Sequence, residues 1–210
     1  MTSATDLGSA PARRRDLQKE QTRLDLALAA FELAKAHGLA GVRVPEIAAA
    51  VGVSTRTFNN YFPSKEAAIV WPTTLRTAQL AEYVTSRPSA EPLTEVLVGA
   101  IGELYGDTGM EGLPAGWLRE FRTLTAAEPA LHGEFLKAAS GAEVALADAI
   151  AHRTGTATGT LEALVLAGVT VAAERAAILY WYRQPSPPAP LADVVRTSVR
   201  MAVRGIADDF

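Results

Sequence analysis

No cysteine occurs anywhere in the chain, which excludes disulfide bridges, thiolate metal sites and a cysteine nucleophile. Histidine is scarce: His37, His132 and His152 lie far apart, and none has a metal-ligand partner four residues on. There is no Gly-rich phosphate loop and no nucleophile elbow. No catalytic residue, metal site or cofactor is expected, and the chain does not read as an enzyme. A signal-peptide-like apolar run is missing as well, because Met1 to Pro11 is small and polar and Arg13, Arg14 and Arg15 follow. The longest apolar stretch, Ala163 to Tyr182, carries Glu174 and Arg175 near its middle. That argues against a membrane span, so a soluble, cytoplasmic protein is expected. No segment reads convincingly as a strand, and the fold class expected is all-α.

The 210 residues suffice for one large domain or two modest ones. A net charge of −3 looks wrong for a nucleic-acid partner until it is divided. Residues 1–70 hold nine Lys/Arg against seven Asp/Glu, and residues 71–210 hold eleven against sixteen. Affinity for phosphates follows local charge, and the mild split supports a basic N-terminal part.

Aromatic residues are few, yet Phe58, Tyr61 and Phe62 crowd into five positions. At i, i+3 and i+4 they fall on one buried stripe of a short helix, for which Ser54 is a good N-cap. Thr55, Arg56, Asn59 and Asn60 take the opposite side. Thr and Asn are poor helix formers, each about half a kcal/mol worse than Ala, so such an outer face is odd unless it is used. Arg and Asn reach guanine and adenine edges bidentately in a major groove. Upstream, Val44 to Val51 gives a second short helix with Pro45 in its first turn, where a missing N–H does no harm. Ala48, Ala49 and Ala50 permit a close crossing. Gly52 sits where the turn needs positive φ, and Val53 plugs the corner. Helix, Gly-containing turn and helix with a polar outer face make a helix-turn-helix, with residues 54–62 as its recognition helix.

These residues, Ile47-Ala48-x-x-x-Gly52-Val53-Ser54-x-x-Thr57-Phe58-x-x-Tyr61-Phe62-Pro63-Ser64-Lys65-Glu66, closely resemble the DNA-binding domain of the tetracycline-repressor (TetR) family, over about Leu24 to Ile69. The resemblance implies an all-helical homodimer with a ligand pocket in its C-terminal part, acting on a palindromic operator. Two departures stand out. The family usually has Thr where Arg43 stands, so this position keeps a phosphate donor and loses a cap. It often has an aromatic residue where Asn59 stands, which points Asn59 toward a base. The DNA-contact residues expected are Arg43, Pro45, Thr55, Arg56, Thr57, Asn59, Asn60, Tyr61 and Lys65. Lys65 would occupy the first turn of the helix that Ser64 opens, where the macrodipole disfavours a cation by a few tenths of a kcal/mol or more. A phosphate at that place would make sense of it, and the resemblance extends this role to Tyr61.

In chain order, residues 1–15 are expected to be a disordered basic arm, residues 16–63 the helix-turn-helix domain and residues 64–210 a ligand-binding and dimerisation domain. For Arg13, Arg14 and Arg15 three readings stand open: tracking the DNA backbone, entering a minor groove, or plain solvation. A first helix is expected from Asp16 to His37, with Gly38 as its stop. Further helices are expected at about 64–85 (with Pro72 inside), 93–105, 115–126, 128–153, 161–182 and 191–207. Residues 106–114 read as a flexible connection, and residues 154–160 as a loop with a Thr cap. Gly99 and Gly102 would leave room for a neighbouring helix or for a ligand.

The last two helices are the expected dimer interface. Residues 161–182 are apolar on more faces than one chain needs to bury, and Leu191, Val194, Val195, Val199 and Val203 would add contacts from the last helix. Two helices from each subunit would close a C2 four-helix bundle. In the middle of the chain Leu97, Ile101, Tyr105, Trp117, Phe121 and Phe135 are candidate walls of a pocket, with Arg122 (and Arg119 beside it) as a candidate anion partner. Trp117 to Arg122 and Pro129 to Leu136 look like a subgroup described as binding acyl-CoA-like ligands, which includes regulators of mycofactocin systems. The expected partners are therefore a double-stranded DNA operator, a second copy of the chain and a small hydrophobic effector. An architectural DNA-binding protein without an effector is the alternative, and a fully packed C-terminal domain would favour it.

Overall fold

The computed structural model describes residues 9–106, 112–114, 116–186 and 188–204, the side chains of residues 9–12 and 77 excepted. Every regular element among these residues is an α-helix: α1 (Ser9–Gly41), α2 (Val44–Val51), α3 (Thr55–Tyr61), α4 (Lys65–Ser86), α5 (Leu93–Tyr105), α6 (Trp117–Ala127), α7 (Pro129–Thr154), α8 (Leu161–Arg183) and α9 (Leu191–Arg204). They pack into two compact units, Met1–Pro72 with Gly116–Phe135, and Thr73–Ala115 with Leu136–Phe210. Helices α4 and α7 contribute to both.

In the first unit, α1 carries the side chains against which the short helices close. Leu26, Ala27, Ala30, Phe31 and Ala34 are all buried, the i, i+4 and i+8 repeat of one helix face. Gly38 breaks α1 at φ 70°, ψ 159°, as expected of it. At its other end α1 corrects the sequence reading. It begins at Ser9, so Arg13, Arg14 and Arg15 stand exposed on helical turns and not on an irregular arm. Residues 1–8, the remainder of that arm, lie outside the described residues.

Helix α2 starts with Pro45 in its first turn and Glu46 accepting the Arg43 backbone N–H at 3.2 Å. This is half of a capping box, because a guanidinium has no acceptor with which to return the bond. Gly52 ends α2 in the left-handed region (φ 73°, ψ 29°), and the Val53 N–H then reaches the Ala48 carbonyl at 2.9 Å. A side chain at position 52 would be strained whatever the space around it.

The second unit is built on α5, whose Val96, Leu97, Ala100, Ile101 and Leu104 form one core with α8 and α9. The glycine at 102 answers to a neighbouring helix: a Cβ there would stand 2.1 Å from Arg196 Nε of α9. Val195 and Val199 are fully buried in this core, and Leu191, Val194 and Val203 pack against it. The α9 residues expected at a dimer interface are thus engaged within their own chain. Thr160 precedes α8 without a side-chain capping bond, contrary to expectation, and its buried Oγ1 has no partner among the described residues. Arg153, in the last turn of α7, donates to the carbonyls of Arg87 (2.8 Å), Pro88 and Glu91 (2.8 Å), fastening the loop between α4 and α5. Helix α8 is long and apolar enough to cross a membrane by length and composition, but Ala163, Ala167, Val171, Ala177 and Ile178 belong to the core. Glu174 at its middle accepts a hydrogen bond from the Tyr105 hydroxyl.

Candidate nucleic-acid interface and an apolar cleft

Helix α3 is only seven residues long, too short to persist by itself. It is held at both ends and from beneath. Ser54 Oγ accepts the Thr57 N–H at 3.0 Å, Phe58 is fully buried, and Phe62 packs between Phe58 and Trp71 at ring distances of 5.7 and 6.1 Å. The Arg23 guanidinium of α1 lies 5.5 Å over Phe62 and 4.9 Å over Trp71, a cation–π contact with the ring that ends α3. With its inner face so fixed, α3 turns Thr55, Arg56, Asn59 and Asn60 outward, and all four are exposed.

The other expected DNA-contact residues divide by environment. Arg43 and Pro45 are exposed at the start of α2. Thr57 is half-buried, and its hydroxyl shares a hydrogen bond with Ser54 Oγ at 2.8 Å, so it serves the cap. Tyr61 is half-buried at the end of α3. Lys65 has an internal reason to exist: its Nζ donates to the carbonyls of Leu39 (2.6 Å) and Val42 (2.9 Å). These carbonyls sit where α1 breaks, and they offset the unfavourable dipole of α4 around the ammonium. Two of its three donors are used in this way.

The cleft in the same unit lies on α6 and the first turns of α7. It measures about 450 Å³ and is lined by Phe121, Arg122, Thr125, Ala126, Pro129, His132 and Phe135. Two of the expected wall residues, Phe121 and Phe135, and the expected anion partner Arg122 meet there. Trp117 is not at the surface of the cleft. It is fully buried and stacks on Phe121 at 4.9 Å, and its Nε1 has no hydrogen-bond partner among the described residues. Leu97 and Ile101 belong to the core of the second unit. The Tyr105 ring there lies under Arg76 at 4.4 Å. Four of the seven residues thus lie in the first unit and three in the second. Thr125, Ala126, Pro129 and His132 were missed in the sequence. Their signal was available: 121, 125 and 122, 126 share a helix face at i, i+4, as 132 and 135 do at i, i+3.

The cleft is tied to α1. An aromatic series runs Phe135, Phe121, Trp117, Phe31, with ring distances of 5.9, 4.9 and 5.6 Å. Alongside it Lys35 pairs with Glu120 at 2.5 Å. The Glu120 carboxylate, with Glu32, holds the Lys35 ammonium above the ordinary lysine range. Glu128, between the lining residues Ala126 and Pro129, accepts the Leu39 N–H at 3.2 Å.

A short capped helix presenting polar side chains behind a Gly-turned partner helix defines a helix-turn-helix protein. Comparison with known proteins carries this further. The profile described as "Bacterial regulatory proteins, tetR family" matches residues 27–68, and that described as "MftR C-terminal domain" matches residues 91–207, more than half of the chain. The chain belongs to the TetR family of bacterial regulatory proteins, with a C-terminal part of the MftR type. It is 32% identical over 146 residues to the HTH-type transcriptional regulator TcmR of Streptomyces glaucescens, a match that covers 68% of this chain and 64% of that protein. Among solved structures, a TetR-family regulator from Mesorhizobium loti superposes with TM-score 0.56 at 18% identity, covering 88% of this chain and 96% of the other. The TetR-family repressor FadR of Thermus thermophilus, in complex with lauroyl-CoA, superposes with TM-score 0.52 at 24% identity, covering 88% and 94%. At these identities the structures bear on the fold alone.

Proposed function

We propose that the chain is a cytoplasmic, sequence-specific DNA-binding repressor that acts as a homodimer on a palindromic operator and is released by a small amphiphilic ligand. The observation that carries the reading is the outward face of α3, where Thr55, Arg56, Asn59 and Asn60 stand exposed on a helix fixed from within. These four are the base readers. Arg43, Pro45 and Tyr61 flank them and meet the backbone, Thr57 sets the cap, and Lys65 keeps one donor for a phosphate while bracing α1. Against a duplex selected from a random pool, Arg56→Ala or Asn59→Ala should each weaken specific binding by roughly 1–3 kcal/mol and relax preference at one position. A wild-type chain that prefers no duplex, or preferences untouched by both substitutions, overturns the reading.

Dimerisation is supported by α8, whose Leu161, Leu164, Val165, Leu179 and Tyr180 are exposed. Between these two groups Gly168, Ala172 and Ala176 recur every fourth residue, and nothing lies within 4 Å of a Cβ built at Gly168. A second copy of α8 fits such a stripe, because small residues let two helix backbones approach under C2 symmetry.

The ligand-responsive reading is favoured over the architectural one by the cleft, which is mainly apolar with Arg122 and His132 as its charged or titratable groups. An acyl-CoA-like molecule suits it: an apolar body against Phe121 and Phe135, an anionic part beside Arg122. FadR of Thermus thermophilus holds lauroyl-CoA. Near-complete release of DNA needs a ligand that prefers the non-docking state by about 5.5 kcal/mol. Lauroyl-CoA should displace the selected duplex from the wild-type protein and should need a higher concentration with Arg122→Ala. Duplex binding indifferent to lauroyl-CoA removes the acyl-CoA assignment.

A further inference from the structure

The first turns of α1 stand exposed among the described residues. Residues 13–20 are exposed without exception, whereas burial begins in earnest at Leu26. Eight residues of helix project about 12 Å, and this overhang carries Arg13, Arg14, Arg15 and Lys19 against Asp16 and Glu20. Arg15, Lys19 and Arg23 recur every fourth residue, which aligns them along one ridge of α1. The inner end of that ridge is fixed, because the Arg23 guanidinium lies 5.5 Å over Phe62, the residue that terminates α3. The overhang therefore leaves the body beside the C-terminal end of the recognition helix and continues its basic ridge outward.

We propose that this helical overhang is a second DNA-contact surface, made by Arg15 and Lys19 on phosphates that flank the half-site. The inference rests on the DNA-binding reading given above and extends the footprint of each protomer. Its chemistry is restricted by shape. A helix about 10–12 Å across does not enter a minor groove about 6 Å wide, so the overhang reads no bases and acts through charge alone. Its contribution is the same on every sequence and is lost as counterions compete for the phosphates. Asp16 and Glu20, together on the face beside the ridge, oppose the contact and limit its strength.

The test is the salt dependence of binding by the full chain to the selected duplex and to an unrelated duplex of the same length. Arg15→Gln with Lys19→Gln should flatten the slope of log K against log salt by about 2–4 for the dimer, and lower affinity at 0.1 M salt at least about ten-fold. The loss should be equal on both duplexes. Asp16→Asn with Glu20→Gln should do the opposite, steepening the slope, and a gain cannot arise from misfolding. The side chains touch no core, so helicity and thermal midpoint should stay as in the wild type. Unchanged slopes in both variants, or a change in base preference, overturn the inference while leaving α3 as the reader intact. A wild-type chain that binds neither duplex sinks the DNA-binding reading itself and the overhang with it.

Discussion

Helices α3 and α8 each expose what a lone helix would not choose, and they do so in opposite ways. In α3 the surplus is polar: Thr, Arg and Asn side chains that weaken a seven-residue helix face outward, while Phe58 holds it from below. In α8 the surplus is apolar: Leu161 is 72% exposed and Val165 51%, although the same helix supplies Ala167, Val171 and Ile178 to a core. A polar surface bought with helix propensity fits a hydrated, charged partner. An apolar surface left open fits a partner of the same kind, a second protein face. The two helices are thus complementary indicators of what each unit meets.

The comparison is broken most forcefully from the inside of α3. Phe58→Ala should remove about 3–5 kcal/mol of stability, read by chemical denaturation, because the fully buried ring has no substitute. If stability changed by less than about 1 kcal/mol, α3 would not depend on its inner face as argued. Leu164→Glu probes the other side. It should leave the monomer folded and shift the dimer to monomer by at least about ten-fold in dissociation constant, since a carboxylate would be buried without a partner. Sedimentation that still shows a dimer at low concentration would remove α8 from the interface.

Smaller effects sharpen the picture. Lys65→Gln should cost about 1–3 kcal/mol by leaving the Leu39 and Val42 carbonyls without their charged donor, a loss visible with no DNA present. Finally, Arg87 bonds Glu91 in two places at 2.8 and 2.7 Å and lowers its carboxyl below the ordinary value. Because the folded pKa is depressed, this contribution is complete above the unfolded value of 4.5 and fades as pH falls through the folded one. The pair is solvent-facing, so replacing Glu91 by Gln should trim stability only slightly near neutral pH and leave it unchanged in acid, and a large loss at neutral pH would assign Glu91 another role.

Much of the helix-turn-helix part was legible in order of residues. Gly38 announced the end of the first helix and Gly52 a positive φ, Ser54 and Ser64 announced caps, and Phe58 with Phe62 announced the inner stripe, all because these features depend on neighbours a few positions away. Lys65 shows the limit. Its place at a helix N-terminus was readable, but the two carbonyls that hold it lie 26 and 23 residues earlier. The cleft shows the limit more strongly. Apolar spacing could nominate Leu97, Ile101, Tyr105, Trp117, Phe121 and Phe135 alike, since periodicity marks a buried face without saying which core will bury it.

What the sequence determined alone, then, is local: helical periodicity, the caps, the turn glycines and the unusual outer face of α3. Each is fixed by sterics and hydrogen bonds within about one helical turn. It took long-range packing to settle that α6 packs on α1 through Trp117 and Phe31, that Leu97 and Ile101 belong to the core of the second unit, that Val195 and Val199 are spent within their own chain, and that Arg15 and Lys19 stand exposed on α1. Those outcomes depend on which apolar faces find each other over long sequence distances, a choice set by shape and volume that no short stretch of residues carries.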